Sequence, residues 1–140
     1  MSTSRLEGRL ILIVDDDEDV LSSIDLAMRS EGARTIKVTD GSAALHEIQH
    51  GDPDAIVLDM MLPKASGFLV LEKMIELEVP PPVVMVTANQ GRRHMAYAES
   101  LGVSAYLSKP VSLTHLVDTV CDIIDRAERF ADDDATGDED

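Results

Sequence analysis

The chain has 140 residues, a formal net charge of −15 and an apolar content of 44%, with one cysteine and no tryptophan. That length suits one domain with a real core, and the charge opposes direct contact with nucleic acid or anionic membrane surfaces. No apolar run reaches the length of a membrane span, the start MSTSRLEGR lacks the apolar core of a signal peptide, and a lone Cys121 excludes an internal disulfide and fits a reducing compartment.

Leu10-Ile11-Leu12-Ile13-Val14 reads as an apolar strand that runs straight into Asp15-Asp16-Asp17-Glu18-Asp19. Consecutive acids repel one another, which an ordinary surface loop rarely requires. From Asp19 to Ser30 apolar residues recur at helical spacing (Val20, Leu21, Ile24, Ala27, Met28), and Gly32 is a fitting stop. Thr35 to Val38 is a second strand. Asp40-Gly41-Ser42 opens a helix carrying Ala44, Leu45 and Ile48, closed by Gly51. Ala55-Ile56-Val57-Leu58 is a third strand, continuously apolar as in a parallel sheet covered on both faces. Asp59 follows at once. Pro63 stiffens the loop beyond it, and Ser66 can cap a helix to about Leu77 with Phe68, Leu71, Met74 and Ile75 as its inner face.

Val79-Pro80-Pro81-Pro82 breaks that helix, and Val83 to Val86 forms a fourth strand ending at Thr87. Gly91 to Leu101 is a fourth helix, with Arg92, Arg93 and His94 placed against its dipole. Ala105-Tyr106-Leu107 is a fifth strand, followed by Ser108-Lys109-Pro110. The last helix, Ser112 to about Arg129, puts Leu113, Leu116, Val117, Val120, Cys121 and Ile124 on one stripe, where Cys121 is a small core residue. Beyond Phe130 the sequence ADDDATGDED has no reason to fold. The expected organisation is a short N-terminal tail (1–9), a domain (10–130) and an acidic disordered tail (131–140). His46, His50, His94 and His115 are read as surface residues on different helices or helix ends, without metal-ligand spacing.

Strands alternating with helices predict a doubly wound parallel sheet with right-handed crossovers. Asp15 and Asp16 follow the first strand, Asp59 the third, Thr87 the fourth and Lys109 the fifth. All lie just past the carboxyl end of a strand, so they converge on one edge of the sheet, where such folds keep their sites. The set suits phosphoryl chemistry. A carboxylate can attack a reactive phosphorus, a hard divalent cation on oxygen ligands offsets the charge, and a lysine and a hydroxyl can hold the phosphoryl oxygens.

Asp15-Asp16, Asp59 with Leu62-Pro63 and Gly67, Thr87-Ala88 and Lys109-Pro110, in that order and at those separations, resemble the receiver domain of two-component response regulators. The match runs from about Leu10 to about Arg126. The resemblance implies a flavodoxin-like (βα)5 fold of strand order 2-1-3-4-5, for which a receiver is itself a stock example. It implies Asp59 as phosphoacceptor and Mg²⁺, with Mn²⁺ as a substitute, on Asp16, Asp59 and the backbone carbonyl of Met61, with Asp15 acting through water. Lys109 and Thr87 would serve the phosphoryl group, and Thr87 and Tyr106 the switch. Lys109-Pro110 is a candidate cis peptide that would aim the lysine inward. Met61 and Asn89 occupy the positions that tune acyl-phosphate lifetime, Met61 hindering an attacking water and Asn89 able to orient one.

By the same resemblance the chain is a cytoplasmic signalling protein rather than an enzyme acting on other substrates. Its phosphodonor would be a histidine kinase or a phosphotransfer protein, and its output a protein contact through the fourth helix, fifth strand and fifth helix. A weak homodimer is compatible with that surface. With no output domain after residue 130 the expectation is a stand-alone receiver; the alternatives are a domain cut from a longer protein and a receiver-like module that signals without phosphorylation. A haloacid-dehalogenase-like phosphatase shares the D-x-D spacing in Asp15-Asp16-Asp17. It fits poorly, because Asp19 stands where that motif wants Thr or Val, no second acidic pair follows Lys109, and a cap domain has no room.

Overall fold

Each apolar run becomes a strand and each periodic run a helix. The computed structural model describes residues 4–88 and 91–137. In chain order the elements are β1 (Leu10–Val14), α1 (Glu18–Ser30), β2 (Arg34–Val38), α2 (Gly41–Gly51), β3 (Ala55–Leu58), α3 (Gly67–Met74), β4 (Val83–Thr87), α4 (Arg92–Ser100), β5 (Ala105–Ser108) and α5 (Leu113–Gly137). The sheet is parallel throughout, in the order β2-β1-β3-β4-β5. This is the flavodoxin-like arrangement expected from the sequence.

The three central strands, β1, β3 and β4, are buried along almost their whole length, while β2 and β5 at the edges are only partly covered. Side chains alternate across the sheet. Ile11, Ile13, Val57, Val84 and Val86 therefore pack under α1 and α5, whereas Leu12, Val14, Ile56, Leu58 and Met85 pack under α2, α3 and α4. Four helices start on side-chain caps: Asp17 accepts from the amides of Asp19 and Val20, Asp40 from Ala43, Ser66 from Leu69 and Ser112 from His115. Asp17, one of the run of five acids, is thus a helix cap.

Four details differ from expectation. The helix expected to reach about Leu77 ends at Met74, and its buried face is Gly67, Val70, Leu71 and Met74 rather than one including Ile75, which is 54% exposed. Gly67 is pressed against the chain after β3, so the inward stripe counts from it at i, i+3, i+4 and i+7. The last helix, expected to stop near Arg129, continues through Ala131 to Gly137. No Gly or Pro lies between Pro110 and Gly137 to stop it sooner. The segment expected as an N-terminal tail carries Leu6, which is 1% exposed in the core under α1 and α5, with its amide donating to the Glu31 carbonyl at 2.8 Å. Finally, His46 and His50 share α2, one turn apart.

Candidate functional site at the carboxyl edge of the sheet

Parallel pairing delivers the polar residues to one edge. The backbone amide of Asp15 donates to Val38 on β2 at 3.2 Å and that of Asp59 to Val14 on β1 at 3.1 Å, so both acids stand one step past their strands. The Lys109 amide donates to the Thr87 carbonyl at 2.9 Å, which ties the end of β5 to the end of β4. Lys109-Pro110 is a cis peptide.

The side chains meet there. The Lys109 ammonium donates to Asp15 Oδ2 at 2.8 Å and to Asp59 Oδ2 at 3.1 Å. Their other oxygens accept backbone amides, Asp15 Oδ1 from Asp17 at 2.9 Å and Asp59 Oδ1 from Met61 at 3.1 Å. Asp15 and Asp59 are 2% and 5% exposed, Thr87 is fully buried, and Asp16 lies open to solvent beside them. Burial pushes the Asp59 carboxyl above the usual aspartate range and the negative Asp15 adds to this, although the Met61 amide and Lys109 pull the other way. Lys109 loses solvation in the same pocket, yet its hydrogen bonds to Asp15 and Asp59 outweigh that and hold it above the ordinary lysine value. Its ammonium is therefore a fixed positive charge at neutral pH.

Asp15, Asp16 and Asp59 each offer a carboxylate oxygen, all within 4.8 Å of one another. Three hard oxygen donors fit Mg²⁺ or Mn²⁺ and suit a soft, sulfur-seeking ion poorly. The loop that follows is held close. A Cβ on Gly67 would stand 2.5 Å from the Asp59 carbonyl oxygen, and one on Gly41 would stand 2.0 Å from that of Ala65. Only glycine lets α3 start this near the acid and α2 this near the loop that follows it.

Most residues expected at the site are brought together here: Asp15, Asp16, Asp59, Thr87 and Lys109. Met61 contributes its amide, while its side chain is 63% exposed. Tyr106 lies on β5 opposite Met85, two residues before the partner of Thr87, half-buried against the α2–α4 side of the core. Asn89 lies outside the described residues. A cleft of about 620 Å³ opens beside Lys109 between α1 and the loop after β5, lined by Asp19, Val20, Ser23, Ile24, Ala88 and Pro110 among others. Sequence reasoning did not find it, because a cleft between a helix and a loop leaves no periodic signal.

Comparison with known proteins gives the same picture. Mycobacterium tuberculosis sensory transduction protein RegX3 is 34% identical over 125 residues, covering 89% of this chain and 53% of RegX3. Bacillus subtilis alkaline phosphatase synthesis transcriptional regulatory protein PhoP is 32% identical over 121 residues, covering 86% of this chain and 50% of PhoP. The chain thus spans about half the length of the curated relatives it matches. Among solved structures, the CheY-like response regulator receiver domain protein of Methanospirillum hungatei superposes with a TM-score of 0.83 at 27% identity, covering 86% of this chain and 97% of that one. The Francisella response regulator 1452 receiver domain gives 0.80 at 27%, covering 85% and 98%. Residues 11–121 match the family model described as the response regulator receiver domain. With that match spanning most of the sequence and the acids, threonine and lysine at one sheet edge, the chain belongs to the response regulator receiver family.

Proposed function

We propose that this chain is a phosphorylation-dependent receiver in which Asp59 accepts a phosphoryl group from a histidine kinase or phosphotransfer protein. The observation that carries this reading is the Lys109 ammonium, shared between two buried carboxylates at 2.8 and 3.1 Å with a third acid beside them. Asp59 is buried and oriented by the Met61 amide, so its carboxylate is held as a nucleophile rather than dispersed in water. An Asp59 oxygen attacks phosphorus, the bond from phosphorus to the donor nitrogen breaks, and that electron pair leaves on the donor imidazole. Lys109 stays protonated throughout and can follow an oxygen of the incoming group. Asp16, Asp59 and the Met61 carbonyl would hold Mg²⁺, with Asp15 acting through water, and the ion would supply charge neutralisation for the transferring oxygens.

Thr87 and Tyr106 are the proposed relay. Thr87 ends the central strand β4, its carbonyl is bonded to the Lys109 amide, and Tyr106 lies on the adjacent strand. A Thr87 hydroxyl that donates to a new phosphoryl oxygen would draw the end of β4 inward and shift the surface of α4, β5 and α5, where a protein partner would dock. One charge-assisted hydrogen bond is worth about 1.5–3 kcal/mol, while a near-complete two-state switch needs about 5.5 kcal/mol. Lys109 must therefore share the work, or the switch is partial. The working unit is residues 10–130 together with the segment carrying Leu6, which fills the core under α1 and α5, and a cytoplasmic setting follows from the proposed donor. Among the described residues no helix is long and apolar enough to cross a membrane.

The test is chemical. Purified protein incubated with acetyl phosphate and Mg²⁺ should gain one phosphoryl group by intact mass, mapping to Asp59, and Asp59→Asn should gain none. Labelling that persists in that variant would overturn the assignment.

A further inference from the structure

His46-Glu47-Ile48-Gln49-His50 occupies the second half of α2. Residues four apart on a helix stand on one face, and here the two imidazole rings lie with centroids 4.5 Å apart, tilted by 48°. Both side chains are exposed. Among the described residues neither makes a hydrogen bond or ion pair beyond that ring contact. The turn that carries them is rigid, because Ala44 and Ile48 on the opposite face are sunk in the core. It also ends the helix, where the backbone carbonyls present the negative pole of the dipole and favour a cation. Glu47 adds negative charge over the same turn, its Oε2 lying 3.1 Å from where a Cβ on Gly51 would stand.

A neutral imidazole offers one nitrogen lone pair and prefers a borderline transition ion to a hard one. We propose that His46 and His50 form a two-imidazole site for a divalent ion of the Zn²⁺, Ni²⁺ and Cu²⁺ class, with water completing the coordination. The site is separate from the all-oxygen acidic cluster and opposite to it in donor chemistry. The same spacing, with its glutamate, occurs in metallopeptidases as a hydrolytic centre, but that reading fails here. Among the described residues the only set of three or more metal-ligating side chains is Asp15, Asp16 and Asp59, so no third protein ligand reaches the histidine pair. A two-ligand site on a convex helix exchanges its ion readily and excludes no water. Its consequence is mechanical. The ion clips one turn of α2 in its helical form, so it should stabilise the native state by mass action.

The experiment uses the full chain with Mg²⁺ in large excess, so that the acidic cluster is filled, and Zn²⁺ as the probe. Imidazole proton and nitrogen NMR signals of His46 and His50 should shift together as Zn²⁺ is added, while those of His94 and His115 stay put. His46→Gln should abolish the shift at His50, and His50→Gln the shift at His46, because each ring binds through the chelate. Both replaced side chains are exposed, so the variants should keep the wild-type melting temperature without Zn²⁺ and lose only its Zn²⁺-induced rise. The proposal is overturned if His50 still shifts in His46→Gln at the same Zn²⁺ concentration. Equal shifts at all four histidines, or none at any, overturn it as well.

Discussion

Two aspartates bracket β3, and they do different things. Asp54 stands just before the strand, half-buried, with Oδ2 accepting the Leu10 amide at 2.8 Å and so clasping the start of β1. Asp59 stands just after it, 5% exposed, facing Lys109, Asp15 and the Met61 amide. The residue type is identical and only the strand Ala55–Leu58 separates them. What differs is which end of a parallel sheet each occupies. At the carboxyl end, loops from β1, β3, β4 and β5 all deliver side chains to one place, and burial raises the stakes of every charge there. At the amino end Asp54 meets one backbone amide, and its job is finished when that amide is satisfied.

The sharpest way to break the comparison is to exchange amide for carboxylate at each end. Asp59→Asn should lose acetyl-phosphate labelling completely, and Asp54→Asn should keep it, because asparagine still accepts from the Leu10 amide. Next in size is Lys109→Met, which leaves Asp15 and Asp59 facing each other without a cation. Removing one member of a buried pair commonly costs about 3–5 kcal/mol. With the lysine side chain 21% exposed, the expected loss is at the lower end of that range in metal-free buffer. Urea denaturation with and without Mg²⁺ checks it. Part of the loss should return with the ion, and an identical loss in both buffers would mean that Mg²⁺ does not sit by these acids. Gly67→Ala comes third, at about 1–3 kcal/mol, because its Cβ would stand 2.5 Å from the Asp59 carbonyl oxygen and 2.8 Å from Met60 Cα. Asp54→Ala should cost about 1 kcal/mol, with phosphorylation unchanged.

The carboxyl end was also the more legible in sequence. Buried parallel strands are unbroken apolar runs, so their ends are sharp, and an acid or lysine placed directly after one is located to within a residue. Asp15 and Asp59 follow by that rule, Thr87 closes the buried strand β4, and Lys109 comes directly after the partly covered β5. The partly covered elements were harder. Ile75 satisfied the helical period of α3, but the close approach of Gly67 to Met60 and Asp59 sets the phase, and a one-dimensional pattern does not carry that contact. Leu6 is a single apolar residue before a strand, with no period to announce that it fills the core between α1 and α5. At the end of α5 acidic composition argues for an unfolded tail, but no helix breaker lies before Gly137 and the helix continues. The i, i+4 spacing of His46 and His50 is written in the sequence, but reading all four histidines as surface residues on different helices or helix ends hides the pair.

The smallest expected effect tests the charge state of Asp59 itself. Burial raises its pKa above the ordinary 3.8, with Lys109 and the Met61 amide offsetting part of that rise. A group with a raised folded-state pKa binds its proton more tightly in the native state than in the unfolded one. Its contribution to stability is therefore complete below the unfolded value and declines as pH rises through the folded value. At neutral pH the ionised Asp59 is a net burden on the fold. Asp59→Asn, which resembles the protonated acid at every pH, should then be more stable than wild type near neutrality. The advantage should shrink as pH falls and vanish below the unfolded value. Matched urea denaturation of the two proteins across that window, in metal-free buffer, gives the difference directly. A gap that stays constant with pH would mean that the two proteins differ for a reason other than this proton. A gap of opposite sign would mean that Lys109 and the Met61 amide together outweigh the burial of the carboxylate.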